Sequence, residues 1–283
     1  MAGPKITMVG AGGMSFGPSM VNDVCHTPSL ADSRLVLHDV NAERLERAYR
    51  FAVKLNDATG SRVRVERTTE PAEAYEGADF VMASAEFGRF RHWREDYEVP
   101  KKYGARHING ENGGPGAVFH SLRSIGNTLR ICADIERHSP DAFLINLTNP
   151  MSRVTLAINR ATKVRNVGMC HEMPGGVRRL AAKLKMDHRD VAAKASGINH
   201  FTFYTEFRDR RTGEDLLPKF GAGLYLYHMP LGGDLRTSLL RGVCESRCTV
   251  SSREQAAWGP PGGVSSANWI DSFSPPDSPR HSC

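Results

Sequence analysis

Between Lys5 and Asp39 the chain reads KITMVGAGGMSFG, then a helical stretch, then RLVLHD. No other segment restricts the fold as strongly. An apolar run (Lys5 to Gly10) predicts a buried strand, a helix follows from about Phe16, and a second strand ends at Asp39. The glycines between strand and helix are Gly10, Gly12, Gly13 and Gly17. Glycines there let the backbone turn tightly and approach a pyrophosphate, which then rests on the helix N-terminus. Gly17 comes two residues later than the usual GxGxxG spacing requires. Asp39 stands where an acid accepts hydrogen bonds from an adenosine ribose, and its charge disfavours the extra phosphate of NADP. The expected cofactor is therefore NAD. The competing reading is a glycine-rich turn in a non-binding α/β protein, with Asp39 capping a helix.

The alternation continues. Asn41 can cap a helix whose Leu45, Ala48, Tyr49, Ala52 and Leu55 share one face. RVRVE predicts an outer strand and DFVMAS (Asp79 to Ser84) a buried one. A long helix is predicted from Ala117 to about Arg137, with Val118, Leu122, Ile125, Leu129, Cys132 and Ile135 on its inward face. AFLINL (Ala142 to Leu147) and VRNVGM (Val164 to Met169) predict two more strands, and a helix follows from about Gly175 to Lys185. Short strands alternating with helices imply an α/β fold around a doubly wound parallel sheet. From about Phe220 the chain turns rich in Ser, Pro and Gly and loses any period. The expected organisation is a Rossmann-type nucleotide domain over 1–150, a partial substrate domain over 151–220, and a disordered tail over 221–283.

Composition narrows the function classes. At 283 residues the chain can bury a substantial core. No stretch approaches the roughly 20 apolar residues of a membrane helix, so no membrane partner is expected. The net charge is +6, but the basic residues are scattered among acids, so no nucleic-acid partner is expected either. Six cysteines are too sparse for a disulfide framework, which favours a reducing cytoplasm. Cys25 and Cys132 sit among apolar residues and read as inert core thiols. Asn146-Leu-Thr148 matches a glycosylation sequon, but its place at the end of a buried strand argues against modification.

Two strand ends carry candidate chemistry. Asn149, in Thr148-Asn149-Pro150-Met151, can offer its amide to a ligand at the carboxyl edge of the sheet or simply make an Asn-Pro turn. Cys170, in GMCHEMPGG, follows the last predicted strand of that sheet, and GINHF supplies His200. Thiolate and imidazole are good ligands for a divalent transition metal. Their separation matches no compact zinc pattern, and a structural role for both stays open.

The segments GAGGMSFG, HD at 38–39, NGENGGPGAVFHSLRSI, LINLTNPMSRV, VGMCH and GINHF occur in the order found in glycoside hydrolase family 4. The chain resembles that family over roughly residues 5 to 217. The resemblance implies a fold related to lactate and malate dehydrogenases and a glycosidase that depends on NAD and Mn²⁺. The implied chemistry departs from the two-carboxylate scheme. NAD⁺ oxidises the sugar at C3, the ketone acidifies the C2 proton, and a base removes it as the glycosidic oxygen is eliminated. Water then adds and the hydride returns, while the metal acts as a Lewis acid on the C2 and C3 oxygens.

Carried over by motif, Cys170 and His200 bind the metal, Asn149 contacts the sugar, and Glu111 supports the family's tyrosine base. His171 follows the metal cysteine, where some members carry a proposed proton donor. CH with NGENGGPG is similar to the α-galactosidase, α-glucuronidase and α-galacturonidase branches, which makes an α-galactoside or α-uronide the expected substrate. Arg91 and Arg94 can then meet a sugar carboxylate, or act as solvated charges on a helix. The family's habit of forming dimers and tetramers implies a homo-oligomer. The resemblance stops about where the sugar domain should continue, which is expected of a truncated or frame-shifted product lacking the tyrosine base. The rival functions are a 2-hydroxyacid dehydrogenase of the lactate/malate type and an inactive NAD-binding remnant.

Overall fold

The computed structural model of the protein describes residues 3–105, 114–198, 201–220 and 225–228. Six strands, β1 (Lys5–Val9), β2 (Arg34–His38), β3 (Arg64–Thr68), β4 (Phe80–Ala83), β5 (Phe143–Asn146) and β6 (Arg165–Gly168), form one parallel sheet in the order β3-β2-β1-β4-β5-β6. The helices are α1 (Gly17–His26), α2 (Ala42–Thr59), α3 (Pro71–Tyr75), α4 (Arg89–Lys102), α5 (Gly114–His138), α6 (Met151–Ala161) and α7 (Glu172–Lys183). This strand order is the Rossmann order, and the direction of winding reverses between β1 and β4. Ligands of such sheets bind at the carboxyl ends of the strands beside that reversal.

The period of two along each strand places a core on both faces. Ile6 and Met8 of β1, with Leu35 and Leu37 of β2, pack with Met20, Val21 and Val24 of α1 and Leu45 and Ala52 of α2. Val9, Val81, Ala83 and Leu144 pack with Ile131, Cys132 and Ile135 of α5 and Val154 and Ile158 of α6. α2 starts as the sequence predicts: the Asn41 side chain accepts from the Arg44 N–H, and Gly60 ends the helix at φ 64°. β3 is an edge strand, as its alternating pattern implied, and carries the exposed Arg34–Glu66 ion pair at 2.6 Å.

The inward face of α5 differs from its prediction. Val118 and Leu122 are exposed (56% and 62%), whereas His120, Ser121, Ser124 and Thr128 are buried with Cys132 and Ile135. The first half of the helix therefore buries a polar stripe. Thr128 Oγ1 donates to the Ser124 carbonyl at 2.8 Å, and the Arg153 guanidinium donates to Ser121 Oγ at 3.3 Å. α7 begins three residues before its predicted start, with Pro174 tolerated in its first turn.

The chain divides into two compact units. One takes Met1–Arg89 and Ser121–Met169, the other Phe90–His120 and the residues from Cys170 onward. The second unit contains the antiparallel strands β7 (Val191–Ile198), β8 (Phe201–Asp209) and β9 (Tyr225–His228) in that order. Its core joins Leu180 and Ala181 of α7 to Val191, Tyr204, Phe207 and Leu216. Within the stretch expected to be a tail, Tyr225–His228 pairs with β8, and the rest of 221–283 lies outside the described residues. Among the described residues no helix is long and apolar enough to cross a membrane.

Candidate functional site

The glycine loop is built around Asp39. The Gly10 and Ala11 N–H groups donate to the His38 carbonyl at 2.9 and 3.1 Å, which ties the loop to the end of β2. Asp39 Oδ2 accepts from Gly12 N–H and Oδ1 from Asn41 N–H, both at 2.9 Å. A Cβ on Gly12 would come within 2.6 Å of Arg44 Cβ and 2.9 Å of Asp39 Oδ2. A Cβ on Gly10, whose φ is +78°, would press into the Ser84 carbonyl oxygen at the end of β4. Gly17, the late glycine, is buried as the first residue of α1, and its Cβ would meet the Ala11 carbonyl oxygen at 2.9 Å. It therefore performs the close helix–strand packing that the third glycine performs at the usual spacing. Gly13 is exposed, and its N–H donates to the Gly10 carbonyl at 3.0 Å. No side chain caps α1; Gly17 N–H donates to the Gly13 carbonyl, Met20 N–H to the Phe16 carbonyl and Pro18 has no N–H, so the Ser19 N–H and the helix dipole are what this end offers an anion. These are the features of a dinucleotide cradle, and the residues present fit the cofactor.

Arg89 went unnoticed in the sequence because no spacing rule marks it. Its guanidinium donates to Ser15 Oγ in the glycine loop at 2.8 Å and pairs with Glu86 at 3.3 Å. It braces the loop against the segment after β4.

The end of β5 is held by a buried network. Asn146 is fully buried, and its Oδ1 accepts from Thr148 N–H at 3.1 Å. Its Nδ2 reaches Thr155 Oγ1 of α6 at 3.4 Å, and Thr148 Oγ1 accepts from Ala85 N–H at 3.3 Å. Burial of Asn146 agrees with discounting the sequon. Asn149 follows, half-buried, with its Oδ1 accepting from Met151 N–H at 3.3 Å and a cis bond to Pro150. The turn reading of Asn149 is thus correct for its oxygen.

Cys170 comes two residues after β6 and is partly exposed, whereas Cys25 and Cys132 are buried. Burial, then the Glu136 carboxylate, push the Cys132 thiol up to about 12, and burial raises Cys25 as well. Near pH 8 the Cys132 thiolate is then on the order of one part in 10⁴. Iodoacetamide should accordingly modify Cys170 in the native protein and leave Cys25 and Cys132 intact. Peptide mass spectrometry reads this directly, and early labelling of Cys132 would contradict it. His171 is the residue preceding α7; it is partly open to solvent, and desolvation of the rest holds its pKa below the ordinary imidazole value. Glu172, next to it, is buried. Arg94 is exposed on α4, and Arg91 pairs with Glu95 one turn on at 3.2 Å. Glu111 and His200 lie outside the described residues. Among the described residues no group of three or more His, Cys, Asp or Glu side chains forms a metal cluster.

Residues 5–186 match the family described as family 4 glycosyl hydrolase. The chain belongs to that family. It is 38% identical over 213 residues to an alpha-glucosidase of Erwinia rhapontici, covering 75% of this chain and 47% of that protein. It is 31% identical over 216 residues to an alpha-galactosidase of Bacillus subtilis (strain 168), covering 76% and 50%. The solved 6-phospho-alpha-glucosidase from gut microorganisms, in complex with NAD and Mn²⁺, superposes with a TM-score of 0.70 at 28% identity, covering 79% of this chain and 52% of that one. The chain thus spans about half the length of the curated relatives it matches. The glycine loop, Asn149 and Cys170 all fall inside the stretch matched to glycosyl hydrolase family 4.

Proposed function

We propose that this protein is the NAD-binding and metal-binding part of a family 4 α-glycosidase acting on an α-galactoside or α-uronide. The loop formed by Gly10, Gly12, Gly17 and Asp39 supports this reading, because it packs against the ends of β2 and β4 and the first turn of α2 too closely for any side chain, at the sheet edge where dinucleotides bind. The relatives' names support the α-glycoside, and one of them adds an α-glucoside to the range worth assaying. Asp39 retains lone pairs for the adenosine ribose, and the N-terminus of α1 receives the pyrophosphate. Asn149 donates its amide to a sugar hydroxyl. Cys170, as thiolate, and His200 hold the Mn²⁺, as family membership suggests. His171 faces the sugar, Glu111 supports the base, and Arg94 meets a carboxylate where the sugar has one. When bound, the nicotinamide supplies a reversible hydride acceptor and the metal a Lewis acid.

The test is hydrolysis of nitrophenyl α-glucoside, α-galactoside and α-glucuronide with NAD⁺, Mn²⁺ and a thiol reductant, run beside Cys170→Ser. Any cleavage should proceed without net NADH. The substitution should lower it by more than the roughly 100-fold that losing a merely supporting partner costs a metal site. Equal activity and equal Mn²⁺ affinity in Cys170→Ser would refute the metal assignment. NADH accumulation with a 2-hydroxy acid would point to a dehydrogenase instead, and NAD⁺ binding without turnover to a binding remnant.

A further inference from the structure

The geometry points to Arg44 and Asp39 as a coenzyme-selecting pair in which Asp39 alone bars an otherwise prepared site for the 2′-phosphate of NADP. This inference rests on the cofactor reading above. Both residues abut Gly12: a Cβ there would lie 2.6 Å from Arg44 Cβ and 2.9 Å from Asp39 Oδ2. Asp39 closes β2, where a dinucleotide's adenosine ribose is received, so Arg44 stands at the same ribose from the first turn of α2.

The charges around this point are unevenly committed. Glu43 pairs with Arg47 at 2.6 Å, and Glu46 pairs with Arg50 at 2.9 Å and Arg67 at 2.8 Å. Arg44 is exposed and in no ion pair among the described residues. A cation in a first helical turn also runs against the helix dipole, whose N-terminal end is itself positive. Arg44 and the start of α2 therefore form a positive field, and the Asp39 carboxylate, held by the Gly12 and Asn41 N–H groups and in no ion pair among the described residues, is the negative charge beside it. A 2′-phosphate would be repelled by Asp39 and received by Arg44, whose planar fork matches phosphate. Removing the carboxylate charge should convert an NAD site into one that takes NADP.

Because Asp39 also accepts from Gly12 and Asn41 N–H groups, the informative change is Asp39→Asn, which keeps the shape and an acceptor oxygen. NAD⁺ and NADP⁺ are titrated calorimetrically into the full chain, Asp39→Asn, Arg44→Gln and the double variant, at two salt concentrations. The unaltered chain should prefer NAD⁺. Asp39→Asn should gain about tenfold in NADP⁺ affinity, and Arg44→Gln in that background should cancel the gain and flatten the salt dependence. Arg44→Gln alone should weaken NADP⁺ clearly more than NAD⁺, a result that decides the matter even where Asp39→Asn fails to fold. Equal NADP⁺ affinity with and without Arg44 would overturn the inference and leave the cofactor reading standing. Failure of the unaltered chain to bind either nucleotide would overturn both.

Discussion

Gly10→Ala is expected to eliminate nucleotide binding and to remove much of the protein's stability. At φ +78° an alanine pays the left-handed penalty, and its Cβ must also enter the space of the Ser84 carbonyl oxygen. That oxygen belongs to the backbone just after β4, so it cannot swing aside as a side chain would. The two costs together come to roughly 2–5 kcal/mol, against a total of about 5–15 kcal/mol for a typical domain. Gly60→Ala isolates the first cost: φ is +64° there, and nothing lies within 4 Å of the added methyl. It should lose only about 1 kcal/mol. Urea midpoints for the two variants, with an NAD⁺ titration for each, make the comparison. Matching midpoints would show that the loop relaxes freely and that the clash is immaterial.

The second large effect separates two residues that the sequence places on one helix face. Ile135 is fully buried among Val81, Ala83, Leu144 and Ile158, and Ile135→Ala should cost about 2–5 kcal/mol. Leu122, expected beside it on the inward face of α5, is 62% exposed. Leu122→Ala should change stability by no more than about 0.5 kcal/mol. Chemical denaturation of both variants checks the assignment, and equal losses would restore the predicted face.

These contrasts show what a sequence pattern can and cannot carry. β1, β2, β4 and β5 were legible because each is a short, mainly apolar run bounded by turn residues, and such runs have few other uses, whereas β6, Arg-Asn-Val-Gly, was legible only by its place in the alternation of strands and helices. The glycine loop was legible because its chemistry is local: turn, helix start and acid all lie between Lys5 and Asp39. The first half of α5 was misread because periodicity arguments assume that apolar side chains point inward. His120, Ser121, Ser124 and Thr128 have helical spacing too, and hydrogen bonds satisfy Ser121 and Thr128 inside. Arg89 could not have been found, since its partner Ser15 is 74 residues away. The thiols were separable in part, because Cys25 and Cys132 have apolar neighbours in the chain and Cys170 follows a strand.

The network at the end of β5 has a consequence for how this scaffold can change. Asn146 spends its side chain on Thr148 and Thr155, and Thr148 in turn holds Ala85. The strand end is thus fixed from within before Asn149 is reached. The anchor at Asn146 and the candidate ligand residue Asn149 sit three residues apart and draw on different side chains. A lineage can therefore vary Asn149 without reworking the sheet, whereas variation at Asn146 would disturb the turn and the helix attached to that strand end.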